Sequence, residues 1–331
     1  MKLYKVAILG ATGAVGQEMM KILAERKFPV GELHLLASEH SVGKEMEFGG
    51  KKIAVELACD EAFAGMDIVL GAASADLARQ FAPAIRAAGA VFVDNSSAFR
   101  MQDDVPLVVP EINPEDVKAH HGIISNPNCS TIITLMAVKA IQHLSPIKTM
   151  VASTYQAVSG AGAGGPIELA AQVKALSEGG AVECKTFPYQ IAENLLPQIG
   201  SFLPDDYTTE EMKMQNEGRK IFHNDMKVTC TCVRVPVMRS HSISVTLRTE
   251  KPVSPEAAAS AIAAFPGCAL DNDVGNDIYP TPLETSGGDI VRVGRIRRDL
   301  TDENGLCLWC CGDQVRKGAA QNAVQIAELI I

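Results

Sequence analysis

The sequence lacks an excess of positive charge, a long apolar run and any repeated or low-complexity segment. Its 30 lysine and arginine residues are outnumbered by 39 aspartate and glutamate residues, which gives a formal net charge of −9. A charge of that sign argues against nucleic acid as the main partner, although a local basic pocket for an anion is compatible with it. No apolar stretch reaches the roughly 20 residues that a membrane-spanning helix needs. A structural, nucleic-acid-binding or membrane role therefore has no support in the sequence.

The cysteines also lack the patterns of disulfide-bonded and metal-binding proteins. There are nine, an odd number, in a chain that opens without a secretory signal pattern. A disulfide framework is therefore not expected, and a reducing cytoplasm is the simplest location. Cys230-Thr-Cys232 and Cys310-Cys311 do not have the spacing of a zinc site and lie in apolar, strand-like runs. We interpret these four as core thiols and expect no metal site.

The first 25 residues have the order strand, glycine turn, helix. Residues 3–9 form an apolar run typical of a buried parallel strand, and an amphipathic stretch follows from Gln17 to Glu25. Between them lies Gly10-Ala-Thr-Gly-Ala-Val-Gly16, with the spacing G-x-x-G-x-x-G rather than the stricter G-x-G-x-x-G. Glycines at such a turn let the backbone approach a pyrophosphate, which rests on the helix N-terminus. The segment predicts a dinucleotide-binding unit with contacts at Gly10, Thr12, Gly13, Ala14, Val15 and Gly16.

The end of the second strand, residues 32–37, should distinguish NAD from NADP. An NAD site usually has an acidic residue at this strand tip, which holds the ribose 2′-hydroxyl. Here the tip is Ser38, which can donate to a 2′-phosphate, whereas Glu39 would repel a phosphate if it pointed inward. His40 and Ser41 are either further phosphate contacts or part of a solvated loop. The pattern favours NADP and leaves NAD open.

Apolar strands and helical stretches continue to alternate towards residue 128. The helical stretch at 77–88 contains Pro83, which should kink or break it. The next strand ends shortly before Arg100. Because the carboxyl ends of strands face the ligand in an open α/β sheet, Arg100 is a candidate for binding an anion. A surface salt bridge with Asp103 or Asp104 fits its position equally well.

Cys129 follows an apolar strand and a turn and precedes a helix. The turn is Asn126-Pro-Asn128, and apolar residues recur at helical spacing from Thr131 to Leu144. Cys129 is therefore predicted at a helix N-terminus, where unpaired N–H groups and the helix dipole favour a thiolate. Such a thiolate is a competent nucleophile. The alternative is that Cys129 is a small buried residue in a strand-to-helix turn.

Four polar residues in the second half are candidates for the rest of a catalytic site. Gln156 follows a strand and opens a glycine-rich loop, where it could orient a carbonyl, donate to an oxyanion or face water. Glu217 and Lys220 share one face of a predicted helix, and a solvated ion pair is the simpler interpretation. His241 could activate Cys129 across a cleft or have a structural role.

The second half is otherwise rich in strands. Runs at 227–237 and 243–250 alternate in polarity and predict an antiparallel hairpin. Two further strands are predicted at 289–298 and 306–312, followed by an amphipathic helix at 313–330. This half therefore predicts an α+β domain.

Several longer motifs, taken in chain order, point to one family. They are Gly10-Ala-Thr-Gly-Ala-Val-Gly16, Asp94-Asn-Ser-Ser-Ala-Phe-Arg100, Val108-Val-Pro-Glu-Ile-Asn113, Asn126-Pro-Asn-Cys-Ser-Thr131, Thr154-Tyr-Gln-Ala-Val-Ser-Gly-Ala-Gly162, Arg234-Val-Pro-Val-Met-Arg-Ser-His241, Gly294-Arg-Ile-Arg-Arg-Asp299 and Asp313-Gln-Val-Arg-Lys-Gly-Ala-Ala320. Any one of them is moderately specific, and all of them in order are highly specific. From Val6 to Glu328 the sequence closely resembles the aspartate-semialdehyde dehydrogenases of the bacterial type.

The resemblance implies a role for each matching residue. Cys129 would be the acyl-thioester nucleophile, His241 the general acid/base and Gln156 the residue that positions the substrate. The groups that hold the substrate would be Arg234 for its carboxylate, Glu217 for its ammonium, and Arg100 and Lys220 for the phosphate. The contacts to NADP would be Gly13 to Gly16, Ser38, Ser159, Gly160 and Gln314.

The implied reaction interconverts L-aspartate 4-semialdehyde, phosphate and NADP with 4-phospho-L-aspartate and NADPH, in the biosynthesis of lysine, methionine and threonine. A pKa near the operating pH would suit the proton transfers of His241. Members of the family form homodimers or dimers of dimers. The implied fold is α/β, with a Rossmann-like NADP-binding domain at 1–128, completed by the C-terminal helix at 314–331. An α+β catalytic and dimerisation domain would occupy 129–313.

Two departures and two rival functions accompany this resemblance. Many relatives have arginine where this chain has His40, and many have glutamate where it has Ile243, for which the sequence offers no physical account. One rival is an acyl-phosphate reductase with another substrate, against which the neighbourhood of Cys129 argues. The other is a non-catalytic NADP-binding or sensor protein, against which the presence of Cys129, Arg234 and His241 argues.

Overall fold

The computed structural model describes residues 2–331, which divide into two compact units. The first unit is the chain up to Asn128 together with Ala319–Ile331, and the second unit is Cys129–Gly318. The chain therefore leaves the first unit at Cys129 and returns to it near the C-terminus. The return falls at Ala319, a few residues after the predicted 314. None of the helices among residues 2–331 is long and apolar enough to cross a membrane.

The first unit is a seven-stranded sheet flanked by helices. Its elements are β1 (Tyr4–Leu9), α1 (Ala14–Glu25), β2 (Val30–Ala37), β3 (Glu45–Phe48), β4 (Lys51–Leu57), β5 (Ile68–Gly71), α2 (Ala75–Ala87), β6 (Val91–Asp94), β7 (Ile123–Ser125) and the C-terminal α8 (Gln321–Glu328). The strand order is β3-β4-β2-β1-β5-β6-β7. All neighbours are parallel except β3 and β4. The predicted Rossmann-like α/β fold is confirmed.

Strand β1 lies at the point where the strand order reverses. Its neighbours are β2 on one side and β5 on the other, and both pair with it in parallel. Alternate side chains enter opposite cores: Val6 and Ile8 pack with α1 and α8, whereas Ala7 and Leu9 pack with α2. Burial on both faces explains why the strand is apolar without interruption. A reversal of this kind opens a crevice at the carboxyl end of the strand, where ligands bind in open α/β sheets.

Of the predicted kink or break at Pro83, the break does not occur, because helix α2 runs through this residue. Ser74 caps its start by accepting a hydrogen bond from the N–H of Leu77 at 3.4 Å. Proline removes one backbone hydrogen bond from a helix interior. Here Phe81 and Ile85, on either side of Pro83, are buried in the core and hold the helix against the sheet.

The C-terminal helix α8 packs against α1. The guanidinium of Arg26 makes two hydrogen bonds to the Glu328 carboxylate, of 2.7 and 2.6 Å. On the other side, Asn322 donates to the backbone carbonyl of Val108 at 2.9 Å and to the side chain of Asn126 at 2.7 Å. The last helix of the chain is therefore part of the first unit.

The second unit contains a six-stranded mixed sheet. Its elements are α3 (Cys129–Leu144), β8 (Ile147–Gln156), α4 (Gly164–Ser177), α5 (Thr209–Phe222), β9 (Lys227–Arg234), β10 (His241–Thr249), α6 (Pro255–Ala263), β11 (Cys268–Leu270), α7 (Pro282–Thr285), β12 (Val291–Arg298) and β13 (Gly305–Gly312). The strand order is β11-β12-β13-β10-β8-β9. The predicted α+β character of this half is confirmed.

The predicted hairpin between β9 and β10 is wrong. Strand β8 lies between them, parallel to β9 and antiparallel to β10. Alternating polarity identifies a strand but does not identify its partner, because each strand can pair along either edge. The insertion of β8 has a consequence for the site, since it brings the ends of three strands together.

Ile243 now has a physical account. It lies in β10 opposite Thr154 and Cys310, and its side chain is fully buried. An uncompensated charge at such a position is costly, whereas an isoleucine gains from burial. In this chain, therefore, Ile243 contributes to the core of the sheet.

Candidate active site

The last residues of β8 and β9 and the first residue of β10 lie side by side at one end of the second sheet. We call this row of strand ends the sheet edge. Gln156 ends β8 and Arg234 ends β9, and these two residues are partners in the parallel register. His241 begins β10, whose next residue, Ser242, lies opposite Tyr155. Because β10 runs antiparallel to the other two, its first residue reaches the edge at which they end. The sheet thus gathers residues that are far apart in the sequence.

Cys129, the first residue of α3, faces His241. The distance from Cys129 Sγ to His241 Nε2 is 3.5 Å. On the other side of the ring, the N–H of Ala157 donates to His241 Nδ1 at 3.1 Å. Nδ1 therefore carries no proton, and in the neutral ring the proton lies on Nε2, towards the sulfur. The sequence left open whether Cys129 and His241 meet; in the structure they do, and the ring is oriented to donate.

His241 is fully buried, and this determines its protonation state. Burial, followed by the positive charge of Arg234, lowers the pKa of His241 to about 3, while the charge of Glu210 opposes the shift. The expectation of a pKa near the operating pH is therefore wrong for this arrangement. The imidazole is neutral at neutral pH, and its Nε2–H is a hydrogen-bond donor.

Arg234 shares a backbone anchor with His241. Its Nη1 donates to the carbonyl oxygen of Ala157 at 2.8 Å, while the N–H of the same residue binds His241. Burial lowers the pKa of Arg234, and a thiolate on Cys129 and the charge of Glu210 raise it. Because this interaction is mutual, the guanidinium stabilises the thiolate.

Two glycines leave the space that these side chains occupy. A Cβ on Gly160 would lie 2.8 Å from Arg234 Nη1 and 3.1 Å from His241 Cε1. A Cβ on Gly318 would lie 2.9 Å from the Cβ of Cys129. Gly160 remains a predicted NADP contact, and the structure adds a steric reason for glycine there. Gly318 was not identified from sequence, although it lies in the motif near the C-terminus.

Two side-chain oxygen atoms near the amide nitrogen of Gln156 determine the orientation of its side-chain amide. It is 2% exposed, and its Nε2 donates to Thr154 Oγ1 at 3.2 Å and to Glu210 Oε1 at 3.4 Å. Glu210 is also buried and forms a salt bridge of 2.8 Å with Lys213. Sequence reasoning missed Glu210, because only the packing of α5 shows which of its acidic residues points inward. Gln156 does not face water, which excludes that alternative.

Glu217 and Lys220, also on α5, differ in burial. Glu217 is 1% exposed, whereas Lys220 is half-buried. A solvated ion pair on the surface therefore does not describe them. A carboxylate is rarely buried unless it is paired, because its desolvation is costly. Their predicted roles, ammonium and phosphate binding, stay predictions.

Ser159 and Gln314, both predicted NADP contacts, belong to a chain of hydrogen bonds that leads to His241. Gln314 donates to the hydroxyl of Ser159 through Nε2 and accepts from the N–H of Ser240 at 2.8 Å through Oε1. Ser240 has a left-handed backbone, with φ of 72°, which is uncommon outside glycine. Gln314 thus helps to hold the residue immediately before His241.

In the first unit, the three glycines of the turn after β1 have different functions. Gly10 has φ of 90°, and a Cβ there would lie 2.6 Å from the carbonyl oxygen of Ala72. A Cβ on Gly16 would overlap the carbonyl oxygen of Gly10. Gly13, in contrast, is the exposed N-cap of α1, with its nearest neighbour at 3.4 Å. Gly10 and Gly16 are needed for packing, and Gly13 leaves the helix N-terminus open to a pyrophosphate.

The other predicted contacts at this turn differ in exposure. Ala14 is exposed, and Thr12 and Val15 are half-buried.

The loop after β2 brings two predicted contacts together and adds a third group. The hydroxyls of Thr12 and Ser41 lie 3.4 Å apart, and Lys44 Nζ lies 3.5 Å from Ser41 Oγ. Ser38 and His40 are exposed in the same loop. Lys44 was missed from sequence, although a basic residue three positions after Ser41 is a signal that could have been noticed.

Arg100 is buried and is held by the backbone of the first unit. Its Nε donates to the carbonyl oxygen of Asn126 at 2.9 Å, and its Nη2 donates to that of Asn95 at 2.7 Å. The alternative of a surface salt bridge is therefore wrong. Asn126 begins the turn that precedes Cys129 in the sequence, so Arg100 also orders that turn.

The other cysteines provide a contrast to Cys129. All nine are free thiols, and the four interpreted as core thiols from sequence are indeed buried. Burial raises the pKa of Cys310, and it raises that of Cys311 to about 11. Cys129 is only half-buried. Among the residues that the structure describes, no group of three or more His, Cys, Asp or Glu side chains could hold a metal ion.

Comparison with known families matches both units. A family model described as the semialdehyde dehydrogenase NAD binding domain matches residues 5–120. A second, described as the semialdehyde dehydrogenase dimerisation domain, matches residues 138–317. An aspartate-semialdehyde dehydrogenase of Synechocystis sp. is 50% identical over 328 residues, which are 99% of this chain and 97% of that protein.

Two solved structures extend the comparison to ligands. The crystal structure of aspartate semialdehyde dehydrogenase II complexed with ASA from Vibrio cholerae is 45% identical, with a TM-score of 0.97, and covers 100% of this chain and 98% of its own. The structure of aspartate semialdehyde dehydrogenase with NADP from Candida albicans is 25% identical, with a TM-score of 0.76, and covers 99% of this chain and 98% of its own.

Proposed function

The chain belongs to the aspartate-semialdehyde dehydrogenase family, and we propose that it catalyses the reversible reductive dephosphorylation of 4-phospho-L-aspartate to L-aspartate 4-semialdehyde. The observation that carries this proposal is the pair of Cys129 Sγ and His241 Nε2 at 3.5 Å, with the Arg234 guanidinium beside it. The pathway role is in the biosynthesis of lysine, methionine and threonine. The site contains the residues that a non-catalytic sensor would not need.

The reductive reaction begins at Cys129. Its thiolate attacks the acyl phosphate, phosphate leaves, and a thioester remains on the sulfur. A nicotinamide dinucleotide held by the first unit would supply the hydride that reduces the thioester carbon. The C–S bond then breaks, which releases the semialdehyde and returns the Cys129 thiolate. Sulfur suits both steps, because a thiolate is a good nucleophile and a good leaving group. The N-terminus of α3 and the charge of Arg234 favour the thiolate that begins and ends this cycle.

His241 acts first as a donor. Its Nε2–H points at the sulfur and stabilises the thiolate as it forms and as it leaves. Anionic groups brought by the substrate favour the imidazolium, since a nearby negative charge raises the pKa of a histidine. His241 can therefore take up a proton while the anionic substrate is bound and release it when the site empties.

Four side chains are proposed to hold the substrate and phosphate. The planar fork of Arg234 suits a carboxylate, and the buried carboxylate of Glu217 suits an ammonium. Arg100 and Lys220 are proposed to bind the phosphate.

Arg100→Lys is an informative variant, because it keeps the positive charge but loses the planar guanidinium, which in Arg100 also donates to two backbone carbonyls. We expect it to raise the KM for phosphate more than the KM for semialdehyde, and equal increases would remove Arg100 from the phosphate site.

A nicotinamide dinucleotide binds to the first unit, and we propose that it is NADP. The open N-terminus of α1 at Gly13 fits the pyrophosphate. Ser38, His40 and Ser41 are the proposed 2′-phosphate contacts, and Lys44 beside Ser41 supplies the positive charge that relatives obtain from arginine at position 40. The second unit is proposed to contribute Ser159, Gly160 and Gln314.

The second unit is also proposed to form the dimer. Support comes from its match to a dimerisation domain at residues 138–317. We propose a homodimer, with a dimer of dimers as the larger alternative. Nine free cysteines fit the proposed cytoplasmic location, where thiols stay reduced.

The test is phosphate-dependent reduction of NADP with L-aspartate 4-semialdehyde, followed by the absorbance of the reduced nicotinamide. The proposal expects turnover that requires phosphate and is faster with NADP than with NAD. Equal rates with NAD would keep the reaction and overturn the cofactor assignment. No turnover with either dinucleotide would overturn the reaction and redirect the search to other acyl phosphates and then to a sensor role.

A further inference from the structure

Glu210 is a buried carboxylate at the candidate site to which the proposed reaction gives no role. It is 8% exposed, and its two oxygens have different neighbours: Oε1 lies 3.4 Å from Gln156 Nε2, and Oε2 lies 2.8 Å from Lys213 Nζ. Its charge also reaches two other buried side chains: burial lowers the pKa of both Arg234 and His241, and the charge of Glu210 partly opposes each shift. A single carboxylate thus interacts with three of the residues at this sheet edge.

The start of α5 explains why Glu210, and not the adjacent Glu211, points to the site. Glu211 closes a capping box with Thr208: its Oε2 accepts from the N–H of Thr208 at 2.7 Å, and its own N–H donates to Thr208 Oγ1 at 3.3 Å. Its other oxygen accepts from the N–H of Cys232 at 2.9 Å. Glu211 therefore joins the helix to β9, whereas Glu210 is directed towards the end of β8.

The geometry around Gln156 defines which end of its amide is available. An ionised carboxylate can only accept hydrogen bonds, so the nitrogen of Gln156 must face Glu210. The second N–H is directed at Thr154 Oγ1, at 3.2 Å. No residue among 2–331 donates a hydrogen bond to Gln156 Oε1. The carbonyl oxygen is therefore the polar atom that this buried side chain offers to a ligand.

We propose that Glu210 is a positioning residue that holds Gln156 with its carbonyl oxygen towards the substrate, so that Gln156 accepts a hydrogen bond from the bound species. This role rests on the proposed function. It excludes the oxyanion donation that the sequence left open for Gln156, because both N–H groups are already directed at protein oxygens. Gln156 then selects for a substrate with a donor, such as an ammonium or hydroxyl group, at that point.

The first test compares two replacements of Glu210. Glu210→Gln keeps the shape but can donate as well as accept, so Gln156 is no longer held in one orientation. We expect kcat to fall about 10- to 100-fold, the range for losing a hydrogen bond to a charged group, with the KM for NADP unchanged. Glu210→Asp keeps a carboxylate in a shorter side chain, and we expect it to retain more activity than Glu210→Gln. A role in packing alone predicts the opposite order, because glutamine is the closer match in shape.

The second test asks whether Glu210 acts through Gln156. In a Gln156→Ala background, Glu210→Gln should cause little further loss, because the side chain that it holds is absent. Losses that simply add would overturn the inference. The matched control is Glu178→Gln, which removes the same charge from an exposed glutamate paired with Lys174 in the same unit. It should leave kcat unchanged.

The outcomes distinguish this inference from the proposed function. An inactive wild-type protein would contradict the proposed function. An active wild type with an equal kcat in Glu210→Gln would overturn the positioning role and leave the function intact. If Glu210→Gln does not fold, as judged by thermal unfolding, Glu210→Ala takes its place as the variant without the carboxylate: a kcat of Glu210→Ala equal to that of Glu210→Asp would overturn the role.

Discussion

The glycine turn of the first unit and the sheet edge of the second unit are built in opposite ways. The turn is one continuous segment, Gly10 to Gly16, and Gly13 within it is exposed, with room for a Cβ at ordinary contact distance. The sheet edge combines side chains from α3, α5, β8, β9 and β10, and most of them are buried. The first site depends on local backbone conformation, and the second depends on how distant strands pair.

The local construction of the turn and the long-range construction of the sheet edge predict different responses to a single amino-acid substitution. At the turn, one substitution alters the surface offered to a ligand and leaves the remaining contacts in place. At the sheet edge, His241, Arg234 and the N–H of Gly160 all hydrogen-bond to the backbone of Ala157, so one displacement moves several groups. Substitutions of Cys129, Arg234 or His241 should therefore have large effects on catalysis and small effects on cofactor affinity.

The largest effect is expected at Cys129. Cys129→Ala removes the sulfur proposed to form the thioester, so turnover should fall below a few per cent of wild type, while the affinity for NADPH stays nearly the same. A turnover assay measures the loss of activity, and a fluorescence titration with NADPH measures the affinity for the cofactor. Cys184→Ala, at an exposed cysteine, is the control and should be fully active. Activity above a few per cent in Cys129→Ala would contradict the assignment of the nucleophile.

Gly160→Ala and Gly13→Ala apply the same change to both sites. The added methyl of Gly160→Ala overlaps Arg234 and His241, and overpacking of this kind typically costs about 1–3 kcal/mol. We expect kcat to fall about 10- to 100-fold, since 1.4 kcal/mol corresponds to a factor of ten. Gly13→Ala has room and should mainly raise the KM for the dinucleotide. If both variants lowered kcat alike, the distinction between the two sites would not hold.

The burial of His241 also predicts how stability changes with pH. Its pKa is lowered from an ordinary 6.5 to about 3 in the folded protein, so the unfolded chain binds more protons between these values. The free energy of unfolding should therefore fall as the pH drops below about 6.5, by at most about 1.4 kcal/mol per pH unit from this group. Urea unfolding at several pH values should show a shallower dependence for His241→Gln.

His40→Gln, in the exposed loop of the first unit, is the control for that measurement and should keep the wild-type slope. The same slope in His241→Gln as in wild type would contradict a buried neutral imidazole.

The smallest effect is expected at Lys44. Its ammonium is exposed, so screening by solvent limits its contribution, and Lys44→Ala should raise the KM for NADP by about 3- to 10-fold. The KM for NAD should not change, because NAD has no 2′-phosphate. Lys52→Ala, at an exposed lysine paired with Glu45, is the control. An equal rise in both KM values would show that Lys44 does not read the 2′-phosphate.

The fold and the family could be predicted from sequence because their signals are local. The strand–glycine–helix order marks the first unit, and the segment around Cys129 marks a helix N-terminus. The predictions that failed concern features that depend on tertiary packing. The hairpin of β9 and β10 was wrong because periodicity does not name a strand's partner, and the pKa of His241 was misjudged because its burial depends on that pairing. Glu210 was missed for the same reason.

Ala157 joins His241, the proposed general acid/base, to Arg234, the proposed carboxylate-binding residue, through its backbone N–H and its carbonyl oxygen. Alanine scanning would pass over this position, since the residue is already alanine, and most replacements of its side chain would leave both hydrogen bonds in place. A catalogue of functional side chains therefore omits a component of this enzyme. It becomes visible to amide-to-ester replacement at position 157, which alters the main chain, or to the nitrogen-15 resonances of the His241 ring, which accepts the hydrogen bond from the Ala157 N–H.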